Sequence, residues 1–156
     1  MDDPFRLSRF VDAQHDTYAL ALDELRRGRK TSHWMWFVFP QVAGLGRSAV
    51  AQRYAISSLD EAWAYLRHPV LGPRLVEFAA AVAAHPRSTA VQILGDVDAL
   101  KLRSSMTLFH LADPAEPVFE QVLATFFDGA ADPETYAGCD TGAITAAEHR
   151  EAVSGP

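Results

Sequence analysis

Ser32-His33-Trp34-Met35-Trp36-Phe37-Val38-Phe39-Pro40 is the segment on which the reading of the whole chain turns. Its aromatic content favours a strand by propensity. A strand, however, needs a neighbour for its backbone N–H and C=O groups, and no second clear strand pattern occurs elsewhere. Ser32 can instead cap a short helical turn, with Trp34 and Val38 on one face and Pro40 ending it. A lone strand would leave its hydrogen bonds unmet, so the helical turn is the expectation, and with it an all-α protein.

The surroundings of this segment are unlike the rest of the chain. Between Arg26 and Tyr54 lie six of the 14 basic residues and two of the three tryptophans, and no Asp or Glu occurs between Glu24 and Asp60. The net charge of -6 over 156 residues comes mostly from the end of the chain, where six acids and one Arg follow from Asp128 onward. The body is close to neutral, which argues against general nucleic-acid binding. A hydrophobic share of 49% and a charged share of 22% fit a globular domain with one core. Cys139 stands alone, and the histidines at 15, 33, 68, 85, 110 and 149 have no metal-binding spacing, so neither a disulfide nor a metal site is expected. The acidic start, Met1-Asp2-Asp3-Pro4, lacks the apolar run of a signal peptide, and the most apolar windows, 34–39 and 75–84, are too short to span a bilayer. A cytoplasmic protein with no membrane association is the expectation.

On either side the periodicity is helical. Phe10, Gln14, Tyr18, Leu22 and Leu25 recur at spacings of three or four, predicting one amphipathic helix from Asp3-Pro4 to Gly28. Ser48 is a candidate cap for a helix over 49–56. Ser58-Leu59-Asp60-Glu61 has the pattern of a capping box, opening a helix with Leu59, Trp63 and Leu66 inward. Pro69 or Pro73 starts a small-residue helix to about Ala84 that belongs at the centre of the fold. Further helices are read over 89–94, over 96–110 with Leu100, Ser104, Thr107, Leu108 and Leu111 on one side, and over 116–127, with a last turn near Pro133. The sum is a compact, single-domain orthogonal array of about six to eight helices over residues 4–137, followed by a mobile tail at 138–156.

Three groupings carry candidate chemistry. Gly44-Leu45-Gly46-Arg47-Ser48 precedes a helix and has the ingredients of an anion site, although a plain loop-to-helix junction uses the same residues. His33, Trp34 and Trp36, with Lys30 beside them, could hold a flat anion between indole faces and a cation; the competing reading is that the tryptophans are core. Lys101 and Arg103 stand on an otherwise apolar helix with Ser104, Ser105 and Thr107, whose hydroxyls can also bond back to their own helix. Gln14 and Tyr18 are further wall candidates, Gln14 being equally readable as a hydrogen-bonded amide at the core edge. No nucleophile-elbow pattern is present.

The residues Phe10-Val11, Ala13-Gln14, Tyr18, Gly28, Lys30, Ser32 to Gln41, Gly44-Leu45-Gly46, Tyr54, His68-Pro69, Leu71 and Leu100 to Phe109 resemble the DUF1810 family over roughly 4–137. That resemblance implies a compact all-helical fold and no established reaction. More remotely, Phe10 to Gln14, Gly28-Arg29 and Leu66 to Leu71 are similar to the NADAR superfamily, helical proteins acting on NAD or ADP-ribose derivatives. That likeness implies NAD or ADP-ribose chemistry, and the residues read above give an anionic nucleotide-like ligand its candidate site: Lys30, His33, Trp34, Trp36, Arg47, Gln14, Tyr18, Lys101 and Arg103. An N-glycosidic hydrolase would use His33 or an acid such as Asp12 as its general acid or base. The alternative is a non-catalytic helical module for a protein partner. No tightly bound cofactor is expected under either reading.

Overall fold

The structure, a computed structural model, describes residues 3–139. Ten helices are present among them: α1 (Ser8–Gln14), α2 (Tyr18–Arg26), α3 (Met35–Val38), α4 (Ala49–Arg53), α5 (Leu59–Arg67), α6 (Leu71–Ala83), α7 (Ala90–Leu94), α8 (Asp96–Ala112), α9 (Pro117–Phe127) and α10 over 133–139. No strand occurs among the described residues, only a parallel bridge between Val42 and Ile56. The all-α expectation holds, but the count exceeds the six to eight expected. Two differences account for it. The first predicted helix breaks at residues 15–17 into α1 and α2, and the turn near Pro133 continues as α10. Most of the stretch read as a mobile tail, residues 140–156, lies outside the described residues.

The deciding segment is a helical turn of four residues, α3, starting after Trp34 rather than after Ser32. The Ser32 hydroxyl does not cap it; it donates to Glu24 Oε2 at 2.7 Å. Elsewhere the caps are local. Ser48 Oγ accepts from Ala51 N at 3.1 Å, and Thr89 with Gln92 closes a full capping box. At α5 the Ser58 hydroxyl accepts from Glu61 N, but the Glu61 carboxylate reaches Ser57 N and Ser57 Oγ instead of Ser58. Half of the expected box is therefore shifted by one residue. Gly28 (φ 77°) ends α2, and Gly95 (φ 89°) turns the chain from α7 into α8.

Helices α6 and α8 form the middle of the body: α6 packs on α2, α5 and α9, and α8 on α5, α7 and α9. Trp34, Tyr65, Phe10, Phe39, Phe78, Phe109 and Phe119 are sealed in one apolar cluster. The inward face of α5 is Leu59, Ala62 and Tyr65; Trp63 and Leu66 flank it half-buried. On α8, Leu100 points out at 65% exposure, and Leu102, Met106 and Phe109 do the packing expected of it.

Candidate functional site

The cationic segment is organised from below by an acid. Glu24, buried near the end of α2, accepts from Thr31 N (2.7 Å), Ser32 N (2.9 Å), Ser32 Oγ (2.7 Å) and Trp34 Nε1 (3.1 Å). Burial alone would raise its pKa; these four donors outweigh it and hold the carboxyl down to about 2. Residues 29–34 are thereby wrapped around a fixed anion. Lys30 lands with its ammonium 5.0 Å from the centre of the Trp34 ring and 2.9 Å from Asp98 Oδ2 at the start of α8. One turn along α8, the Lys101 ammonium lies 3.3 Å from Asp98 Oδ1 and 4.8 Å from the Trp36 ring centre. Two lysines thus share one carboxylate, each over its own indole, and the group keeps a surplus positive charge.

That surplus belongs to Lys101. Lys30 is 9% exposed in its side chain and makes the shorter contact; Lys101 is 22% exposed and makes the longer one. Lys101 also lines the larger of two neighbouring cavities. That one, of about 340 Å³, is walled by Leu45, Val97, Leu100 and Ser104, by the cations Lys101 and Arg103, and by the acids Asp132 and Glu134. The other, of about 110 Å³, lies between Trp36 and the 42–46 loop and runs under Ala51 and Tyr54. Gln41 lines both. At the narrow end Gly46 is required by space: a Cβ there would come within 2.5 Å of the Ala51 Cβ.

Of the residues singled out from the sequence, the fold brings Trp36, Lys101 and Arg103 to this groove, with Lys30 and Trp34 directly beneath it. Trp34 is fully buried, so its indole is a floor under Lys30 and presents no open face. The Arg103 guanidinium donates to the carbonyls of Ala130 and Ala131 (both 2.8 Å), which holds the chain after α9 against α8. His33 and Arg47 are exposed and line neither cavity. Gln14 is buried elsewhere, donating to Phe37 O (2.7 Å) and Tyr65 Oη (3.2 Å) and accepting from Arg74. Tyr18 donates to the Glu77 carboxylate, whose hydrogen bond raises the phenol pKa, and lies under the Arg74 guanidinium. Asp12 lines a different cavity, beside three arginines.

The polar run on α8 has both of its readings realised. Ser104 and Thr107 bond back to Leu100 O and Arg103 O, and they also hold Asp132: Thr107 Oγ1 accepts from Asp132 N, and Ser104 Oγ donates to Asp132 Oδ2. Asp98 and Glu24 are the two residues that the sequence reading passed over. Glu24 carried a legible signal, an acid on the apolar stripe between Ala21 and Leu25. Asp98 carried none beyond its i,i+3 spacing to Lys101.

Taken together, these features define an all-helical domain with an aromatic–lysine groove at one edge of its core. The chain belongs to the DUF1810 family, described as a protein family of unknown function, whose profile matches residues 4–138. It is similar to the solved structure of the conserved hypothetical protein Rv1873 from Mycobacterium tuberculosis, at 51% identity and a TM-score of 0.86, over 88% of this chain and 98% of that one. No curated relative matches. No helix among the described residues is long and apolar enough to cross a membrane, and no group of three or more His, Cys, Asp or Glu among them is placed to hold a metal ion.

Proposed function

We propose that this domain binds a small anionic, nucleotide-like ligand, of which ADP-ribose and NAD are the first to test, in the groove between Trp36 and Lys101. The observation that carries this reading is the sharing of Asp98: Lys30 makes the shorter contact to the carboxylate, and the more exposed Lys101 lines one cavity while lying over the indole of Trp36, which lines the other. An aromatic face beside an ammonium group suits a flat, negatively charged molecule. The 340 Å³ cavity falls within the size range of small-ligand sites. A cytoplasmic location and a helical domain over residues 4–137 belong to the same proposal.

Hydrolysis of an N-glycosidic bond finds less support than binding. His33 and Asp12 line neither cavity of the groove. Glu24, the buried acid nearest the segment, is held ionised by its four donors and is a weak base with no proton to give.

A ligand that binds only the folded state raises the melting temperature. A shift of several degrees with ADP-ribose or NAD is expected, and it is reduced in Lys101→Met. No shift with either compound, or a shift that Lys101→Met leaves intact, refutes the proposal. A second reading, a protein-interaction module, is favoured by one feature: Val97 (66% exposed) and Leu100 (65%) stand together on the rim of the same groove. Binding of ADP-ribose that Val97→Ser/Leu100→Ser weakens would place this rim in the ligand site and count against that alternative.

A further inference from the structure

The widest cavity described, about 540 Å³, lies on the other side of α4 from the groove, between the start of α1 and the residues that end α4. Its wall carries Arg6, Arg9 and Arg53, with Ser8, Tyr54 and one acid, Asp12. We infer that this cleft is a second, separate binding site, for a small molecule bearing a phosphate or pyrophosphate group.

Arg9 builds the cleft. Its Nη1 donates to Phe5 O (2.6 Å) and Arg6 O (3.0 Å) on one lip. Its Nε donates to Arg53 O (2.8 Å), and its Nη2 to Ala55 O (2.9 Å) on the other. Nη2 also meets the buried Glu61 carboxylate at 2.9 Å, which neutralises the Arg9 charge. A single guanidinium therefore ties both lips at a fixed separation. Each lip carries one further arginine, Arg6 and Arg53, and neither forms an ion pair among the described residues. The Arg6 backbone is left-handed (φ 52°), a conformation costly for a side-chain-bearing residue. It is held there by Arg6 N donating to Asp3 O and by Asp3 Oδ1 and Oδ2 accepting from Leu7 N and Ser8 N. The Arg53 guanidinium lies 5.5 Å from the centre of the Tyr54 ring, which gives the cleft an aromatic wall beside its cations.

Two guanidinium groups without carboxylate partners, set on opposite lips of a concave site, match the charge and hydrogen-bonding geometry of phosphoryl oxygens. Their retention in a chain of net charge -6 creates a local cationic surplus that Asp12 only partly offsets. The concavity selects a small molecule over an extended polymer.

The test is calorimetric titration of the full chain with inorganic pyrophosphate at low ionic strength. Saturable binding is expected, weakened about tenfold or more in Arg6→Gln/Arg53→Gln, the scale of two lost charge-assisted contacts. Both side chains are exposed and make no hydrogen bonds among the described residues, so the double variant should melt with the wild type; Arg9 is left intact because both lips depend on it. Asp12→Asn should bind more tightly, and Lys101→Met should bind as the wild type does. The inference is overturned by the absence of saturable binding, by an unaltered affinity in the double variant, or by loss of binding in Lys101→Met. An Asp12→Asn variant that binds no more tightly also counts against it.

Discussion

An ionised carboxylate in the interior needs donors on every side, and Glu24 has them from two backbone amides, a hydroxyl and an indole. Burial works against the charge, yet those donors keep the group at about 2, below the 4.5 of an unperturbed glutamate. The folded state therefore favours the ionised form, and the stability gained is fully present above about pH 4.5 and drains away as pH falls toward 2. Glu24→Gln should cost about 3 kcal/mol at pH 7 and flatten that acid dependence. Urea unfolding at pH 7 and at pH 3 measures both; equal acid dependence in variant and wild type would remove Glu24 as its source. The presence of a polar residue on each buried stripe was readable here, as with Gln14. Its partners were not, since Phe37 and Tyr65 lie far along the chain and no local pattern encodes that distance.

Helix boundaries followed much of the punctuation, but not Asp3-Pro4, where α1 begins only at Ser8, nor Ser32, which binds Glu24 and leaves α3 to begin at Met35. Gly28, Ser48, Thr89, Gly95 and the proline at the start of α9 all act where they stand. The break between α1 and α2 has no such mark: residues 15–17 contain neither Gly nor Pro, and a continuous apolar period runs across them. Long-range bonds of Gln14 and Tyr18 to different partners settle it, and those are tertiary. The junction of α5 and α6 shows the opposite case, where one residue's size decides. His68 Nδ1 accepts from Val70 N and Leu71 N, closing the turn so tightly that a Cβ on Gly72 would sit 2.1 Å from Leu66 O. Gly72→Ala should destabilise the protein by about 3 kcal/mol, because backbone rather than a flexible side chain must give way. An unchanged denaturation midpoint would mean that α5 and α6 can separate at no cost.

Across the molecule, Asp98 links the segment after α2 to the start of α8. Asp98→Asn leaves the nearly buried Lys30 ammonium without a counter-charge and facing Lys101, at an expected cost of about 2 kcal/mol. Lys30→Met should recover part of that loss in the double variant, and additive effects would show that the pair is uncoupled. The residues of the groove were legible as types: aromatic rings and cations set in one acid-free stretch. Their grouping was not, because it depends on α8 delivering Asp98 to Lys30, 68 positions earlier in the sequence, and Lys101 to Trp36, 65 positions earlier.

Helix α4 has no buried residue, and Gln52 and Tyr54 at its end face the small cavity on one side and the arginine cleft on the other. What an element hides from water sets the work of detaching it, so this turn is held less by apolar burial than by the Arg9 hydrogen bond to Arg53 O. Raising it would widen two chambers at once, and a guest that braced it from either side would stiffen the wall of the other.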